Sequence, residues 1–140
     1  MRRIIAVILV VLCLAGSLCA CGNKTPKTVE TKPRDAIRTV YGTSGTGRSF
    51  YWDIVKADGT IDGYTVWTTE KTLGGALEKI KVAEFIENKK GKITGMEILN
   101  YELPEDTEWA FYVNGELCED SPREYEINSS DIYSFAQIKG

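Results

Sequence analysis

Trp109-Ala110-Phe111-Tyr112-Val113-Asn114-Gly115-Glu116-Leu117-Cys118 is the stretch that decides the fold. Residues 108–113 are rich in aromatic and β-branched side chains that suit a pleated strand. Asn114-Gly115 is the strongest short signal for a type I′ hairpin, because both central residues of that turn need positive φ. The turn sets the register, so Trp109, Phe111 and Val113 share one face of the strand while Ala110, Tyr112 and Asn114 share the other. One face must be core. Burying Trp109 and Phe111 gains roughly 2 kcal/mol or more for each ring, which favours their pointing inward and leaves Tyr112 at a rim beside the turn; Trp109→Ala is then expected to unfold the domain and Tyr112→Ala to spare it.

Working outward, strand and turn signals recur on both sides. Arg48 to Lys56 alternates with the period of a strand, Asp58-Gly59 and Asp62-Gly63 mark tight turns, and Tyr64 to Thr69 returns as a second strand. Thr72 is placed to cap a helix in which Leu73, Ala76, Leu77 and Ile80 recur on one face. Gly74 and Gly75 weaken that helix by roughly 1 kcal/mol each relative to alanine, which points to close backbone packing on a sheet. Beyond Phe85 and Ile86, the turn-prone residues 88–91 lead into an apolar stretch with Ile93, Met96, Ile98 and Leu99, and Ile132 to Ile138 alternates as a terminal strand. The reading is an α+β domain over residues 48–140, a mixed sheet packed on one helix.

The first 47 residues read differently. Arg2 and Arg3 precede an apolar run from Ile4 to Leu14, and Ala15, Gly16 and Ser17 break it, which is the pattern of an export signal over residues 1–20. The run is short for a membrane span. Leu18-Cys19-Ala20-Cys21 resembles the lipobox of bacterial lipoproteins, which implies cleavage before Cys21, a diacylglyceryl group on its sulfur, and a location on the outer face of the cytoplasmic membrane of a Gram-positive bacterium. Two acyl chains anchor stably where one does not. Residues 21–47, with Lys24, Pro26, Lys27, Lys32, Pro33 and Arg34 among threonines, are too polar to build a core and read as a flexible tether; as a coil it would hold the domain about 25 to 30 Å from the anchor.

Charge and composition exclude several functions. Residues 22–47 carry five basic and two acidic side chains, while residues 48–140 carry ten basic and eighteen acidic. The tether suits anionic lipid, and the field of the domain opposes a phosphate backbone, so nucleic acid is not an expected partner. The chain contains no histidine, which removes Ser-His-Asp and Cys-His catalysis and histidine-based zinc sites. With Cys21 taken by lipid, Cys118 stands alone and reads as a small buried hydrophobe. Gly42 to Ser49 imitates a phosphate-binding loop with Arg48 in place of lysine, but a strand pattern follows where a helix is required. No catalytic residue, metal site or cofactor is expected.

The order Thr72-Leu73-Gly74-Gly75-Ala76-Leu77, Phe85-Ile86, Trp109 to Glu116 and Asp131-Ile132-Tyr133-Ser134-Phe135 resembles the C-terminal-domain family of transcobalamin-like proteins, found in surface lipoproteins and often of unknown function. The resemblance covers about residues 48–139 and implies a β-grasp-like fold. It departs from the family at Gly75, where an acidic residue is usual, and at Ser129-Ser130-Asp131, where an Asp-Gly-Asp turn is usual. Related domains close over a corrinoid held by a separate helical domain.

Two functions stay open: a non-enzymatic binding module for a small molecule, corrinoid-like or other, or for a surface protein; and a spacer of the cell envelope. Candidate ligand-binding residues are Trp67, Tyr101, Trp109, Tyr112 and Asn114, whose rings and amide suit stacking on a flat ligand. Exposed rings would favour binding and buried rings a spacer.

Overall fold

A computed structural model describes residues 25–87, 89 and 93–139. The export signal and the lipidation of Cys21 expected from the sequence lie outside these residues. Among the described residues, no helix is long and apolar enough to cross a membrane.

The strands read from the sequence are present, with one correction: Asp62-Gly63, expected as a turn, lies inside the second strand, paired with Ile54 and Asp53, because the chain already reverses at residues 57–60. β1 spans Thr39–Tyr41, β2 Arg48–Val55, β3 Ile61–Thr68, β4 Ala83–Glu87, β5 Ile93–Ile98, β6 Thr107–Val113, β7 Glu116–Leu117 and β8 Ile132–Lys139, with helix α1 at Leu73–Lys79. Six strands form a mixed sheet in the order β1-β3-β2-β8-β6-β7, and β4 pairs with β5 separately. The first hairpin strand, β2, runs parallel to the last strand, β8, with Trp52 opposite Tyr133. Asn114 (φ 50°) and Gly115 (φ 83°) hold the β6–β7 turn left-handed, as a type I′ hairpin requires. Ser130 also takes a left-handed conformation, φ 68°, which serine adopts less readily than glycine.

One face of the sheet carries Phe50, Trp52, Ile54, Val66, Phe111, Tyr133 and Phe135, which pack with Leu73, Ala76 and Leu77 of α1 and with Met96 and Ile98 of β5. Aromatic rings meet edge-on within it: Phe111 lies 5.7 Å from Phe135 and 5.4 Å from Tyr125, centroid to centroid. Such contacts add to the area term of burial. Thr72 caps α1 through its hydroxyl, which accepts from the Gly75 amide at 3.1 Å. The reason for Gly74 is a different neighbour from the expected sheet: a Cβ there would stand 2.5 Å from the backbone of Arg123, in the segment that crosses the start of the helix. That segment accepts hydrogen bonds from Leu73 N at Tyr125 O and from Gly74 N at Arg123 O.

The opposite face is covered by residues read from the sequence as a tether, and here that reading is corrected. Leu117 N donates to Lys27 O, Val29 N to Gly115 O, and β1 pairs in parallel with β3. Between these contacts the Lys32 amide and the Arg38 guanidinium converge on one carboxylate: Lys32 N donates to Asp53 Oδ2 at 2.7 Å and Arg38 Nη1 to Asp53 Oδ1 at 2.6 Å. Both side chains are buried, at 2% and 0% exposure. Arg38 also lies over the Tyr51 ring at 4.7 Å and donates to Lys32 O. Gly63, opposite Asp53 in β3, has no side chain to obstruct them; a Cβ would stand 2.6 Å from Lys32 Cδ and 3.0 Å from Arg38 Nη1. Composition suggested a tether because the segment is polar, but one carboxylate under it supplies a partner that a polar segment can satisfy.

Candidate functional site

A wide concavity lies beside the N-terminal half of β6. It has a volume of about 1160 Å³ and is bordered by β4 and β5, the loop 99–103, and Thr107, Glu108 and Trp109. Val82, Met96 and Ile98 form its buried apolar floor, and Ile86, Leu99 and Leu103 are exposed at its margin. Glu78, Glu84, Glu97 and Glu108 line it against one cation, Lys81. Glu84 and Glu97 stand opposite each other in the β4–β5 register and are both exposed. Like charges so placed repel. Among the described residues no cation lies within ion-pair distance of Glu84, Glu97 or Glu108, whereas Glu78 meets Arg123 at 3.6 Å.

The backbone around the groove is held in uncommon conformations. Lys81 (φ 58°) and Asn100 (φ 67°) border it, and Asp106 (φ 59°) precedes β6. Non-glycine residues with positive φ cost energy that surrounding contacts must offset, and they gather at binding and catalytic sites. The contacts here are visible. Leu99 N donates to Val82 O, Tyr101 N to Ile98 O and Thr107 N to Pro104 O, while Gln137 Nε2 reaches Glu102 O at 3.0 Å.

Of the five ligand-binding candidates, the groove brings together two. The half-buried Trp109 and Tyr101 both line it. The Tyr101 hydroxyl donates to Asp62 Oδ2 at 2.7 Å and lies 2.6 Å from the Tyr64 hydroxyl, which ties the loop to β3. Burial, with Tyr64 and Asp62 beside it, pushes this phenol well above its ordinary range, so it stays protonated.

The other three are elsewhere. Tyr112 is fully buried under the N-terminal segment, its hydroxyl donating to Pro26 O at 2.7 Å, and is not the exposed rim residue expected from the hairpin. The alternation was right, and the second face had an unforeseen cover. Asn114 serves the turn: its Oδ1 accepts from Ile132 N at 2.9 Å and its Nδ2 donates to Asp131 Oδ1 at 3.2 Å. Trp67 is half-buried in β3 beside Gly42 and does not line the groove. The residues missed from the sequence are Glu84, Glu97, Glu108, Leu99 and Leu103. The glutamates carried only the signal of general acidity and Leu99 only that of an apolar stretch, because the facing of Glu84 and Glu97 exists only once β4 and β5 pair.

Cys118 is half-buried with its Sγ 3.9 Å from Asp120 Oδ2. Burial chiefly, with Asp120 and Glu119 nearby, pushes its thiol up, which disfavours the thiolate a nucleophile needs. Among the described residues no three acidic or thiol side chains are grouped to hold a metal ion.

No family model and no curated protein matches the chain. Among solved structures, the fold is similar to that of a protein from Ruminococcus gnavus described as a "putative metal binding protein", with 18% identity, a TM-score of 0.57, and coverage of 66% of this chain and 98% of that one. At that identity the likeness is one of fold: a mixed sheet with one short helix.

Proposed function

We propose that this chain is a non-enzymatic binding module, anchored through lipid on Cys21 at the extracellular face of the cytoplasmic membrane, with its ligand seat in the groove between β5 and β6. The observation that carries it is the meeting of Trp109 and Tyr101 with exposed Leu99 and Leu103 in a concavity of about 1160 Å³, large enough for an organic ligand or a protein segment. We assign the domain to the β-grasp class on its central strand order β3-β2-β8-β6, in which the first and last strands lie parallel at the centre, and on the helix after the first hairpin. The transcobalamin-like resemblance points to corrinoids as the first small molecules to try. The metal binding ascribed to the Ruminococcus gnavus protein is not part of this reading, because among the described residues no three acidic or thiol side chains are grouped.

The N-terminal segment changes the geometry of anchoring. With Lys27 bonded to the sheet edge, the chain from Cys21 reaches at most ~20 Å when fully extended, so the module stands close to the lipid surface rather than on a long coil. Mass spectrometry of the mature N-terminus tests the anchor: a diacylated Cys21 is expected, and an unmodified N-terminus beyond residue 21 rejects it. Tryptophan fluorescence of the full chain titrated with cobalamin and a small-molecule panel tests the seat. Quenching that Trp109→Ala abolishes is expected, and quenching that survives Trp109→Ala rejects the groove.

A further inference from the structure

The edge of β6 is sealed at one end and open at the other. On the side away from β8, β7 pairs only with Tyr112 and Val113, and Cys118 N then donates to Phe111 O at 2.9 Å. Antiparallel strands alternate the side to which each residue's N–H and C=O point. Phe111 therefore shares its outward direction with Trp109 and Thr107. Thr107 N turns back to Pro104 O, and among the described residues no strand pairs with Trp109 on that side, so its N–H and C=O point out from the sheet edge. Natural sheets blunt such edges with lysine, proline or a bulge, and residues 107–111 hold none of these.

The groove follows this edge rather than a face. Glu108 and Trp109 are consecutive in a strand and point to opposite faces of the sheet, yet both line it; the same holds for Glu97 and Ile98 of β5. The edge thus lies in a trough with exposed Leu99 and Leu103 at its margin and with Glu84, Glu97 and Glu108, which no cation among the described residues meets within ion-pair distance.

We propose that this trough is a strand-addition site for an extended, cationic segment of a partner polypeptide, which pairs through its backbone with Trp109 and places lysine or arginine side chains against Glu84, Glu97 and Glu108. The inference rests on the groove being the ligand seat and names its occupant. Charge complementarity selects it: a partner's cations relieve the repulsion between Glu84 and Glu97, while alternate apolar side chains of the added strand meet Leu99 and Leu103. Main-chain pairing supplies affinity and the carboxylates supply selection.

The test uses the full chain in detergent and a short peptide of alternating lysine and valine. Saturable quenching of Trp109 fluorescence is expected, with slowed hydrogen exchange of the Trp109 amide. N-methylation of alternate peptide nitrogens, or the double substitution Glu84→Lys/Glu97→Lys, is expected to weaken binding by about tenfold or more. The double variant should melt close to the parent, since it exchanges one exposed like-charge pair for another. Equal binding of the N-methylated peptide overturns backbone pairing, and equal binding by the double variant overturns the charge selection. If the peptide fails while a small molecule quenches Trp109, this inference falls and the binding-module reading stands. If nothing binds, both fall.

Discussion

The two faces of the six-stranded sheet are closed by opposite means. On the helix side, Phe50, Trp52, Phe111, Tyr133 and Phe135 pack against leucines and each other with no ion pair among them. On the other side, a segment with little apolar content is held by one buried carboxylate that receives a guanidinium and an amide. The first face is stabilised by area and tolerates best the apolar substitutions that keep its volume. The second is bonded to the sheet at both edges and centres on a charge pair, whose desolvation is costly and whose value lies in both partners being present. A polar stretch can therefore be structural when one complementary charge waits beneath it.

The largest effects should come from breaking each closure. Asp53→Ala leaves the Arg38 guanidinium buried without its partner and is expected to cost about 3–5 kcal/mol, similar to the ~3–5 kcal/mol for Phe135→Ala in the aromatic core. The faces then part company. The double variant Arg38→Met/Asp53→Leu should recover most of the loss in urea denaturation, whereas no change at Arg38 should rescue Phe135→Ala. A double variant as unstable as Asp53→Ala alone would show that the ion pair is not what secures the segment.

Tyr112 lies on the second face and sharpens the comparison. Tyr112→Ala is expected to cost about 3–5 kcal/mol by the cavity it leaves, and Tyr112→Phe about 1 kcal/mol by loss of the bond to Pro26 O. Thermal melts of the two variants measure both. A melt of Tyr112→Ala equal to that of the parent would restore the exposed position inferred from the hairpin alone.

Two glycines, one under each cover, should differ in a smaller way. Gly74→Ala drives a Cβ against backbone atoms of Arg123 at 2.5 Å, which cannot swing aside, and should cost about 1–3 kcal/mol. Gly63→Ala meets side-chain atoms only, Lys32 Cδ and Arg38 Nη1, rather than backbone, and should cost less. Its signature is a loosened cover, read as faster hydrogen exchange at the Lys32 amide.

The smallest effect is alkaline. Tyr133, on the helix side, is pushed up to about 12, chiefly by burial. A phenol that holds its proton more tightly when folded gives full stability below its unfolded value near 10 and loses it as pH rises toward 12. Stability should decline across that window, and Tyr133→Phe should flatten the decline in denaturation curves at stepped pH.

The elements were largely legible because their signals are local. The alternation of Arg48 to Val55, the Thr72 cap with Leu73, Ala76 and Leu77 on one face, and the Asn114-Gly115 turn are properties of a few neighbouring residues, and each is found in place. The same locality fixed which side chains share a face of β6. What covers each face was not local. Asp53 reads as one acid among eighteen in residues 48–140 until Lys32 and Arg38 are brought to it across the sheet, and that meeting turned residues 27–41 from tether to fold and Tyr112 from rim to core. The groove has the same origin. Trp109 and Tyr101 were visible as aromatics, but only pairing β4 with β5 sets Glu84 against Glu97, and only the shortness of β7 leaves the edge at Trp109 open. Sequence patterning determines elements because period and turn chemistry act over a few residues; tertiary structure alone decides covers, edges and charge pairs, because these join residues distant along the chain.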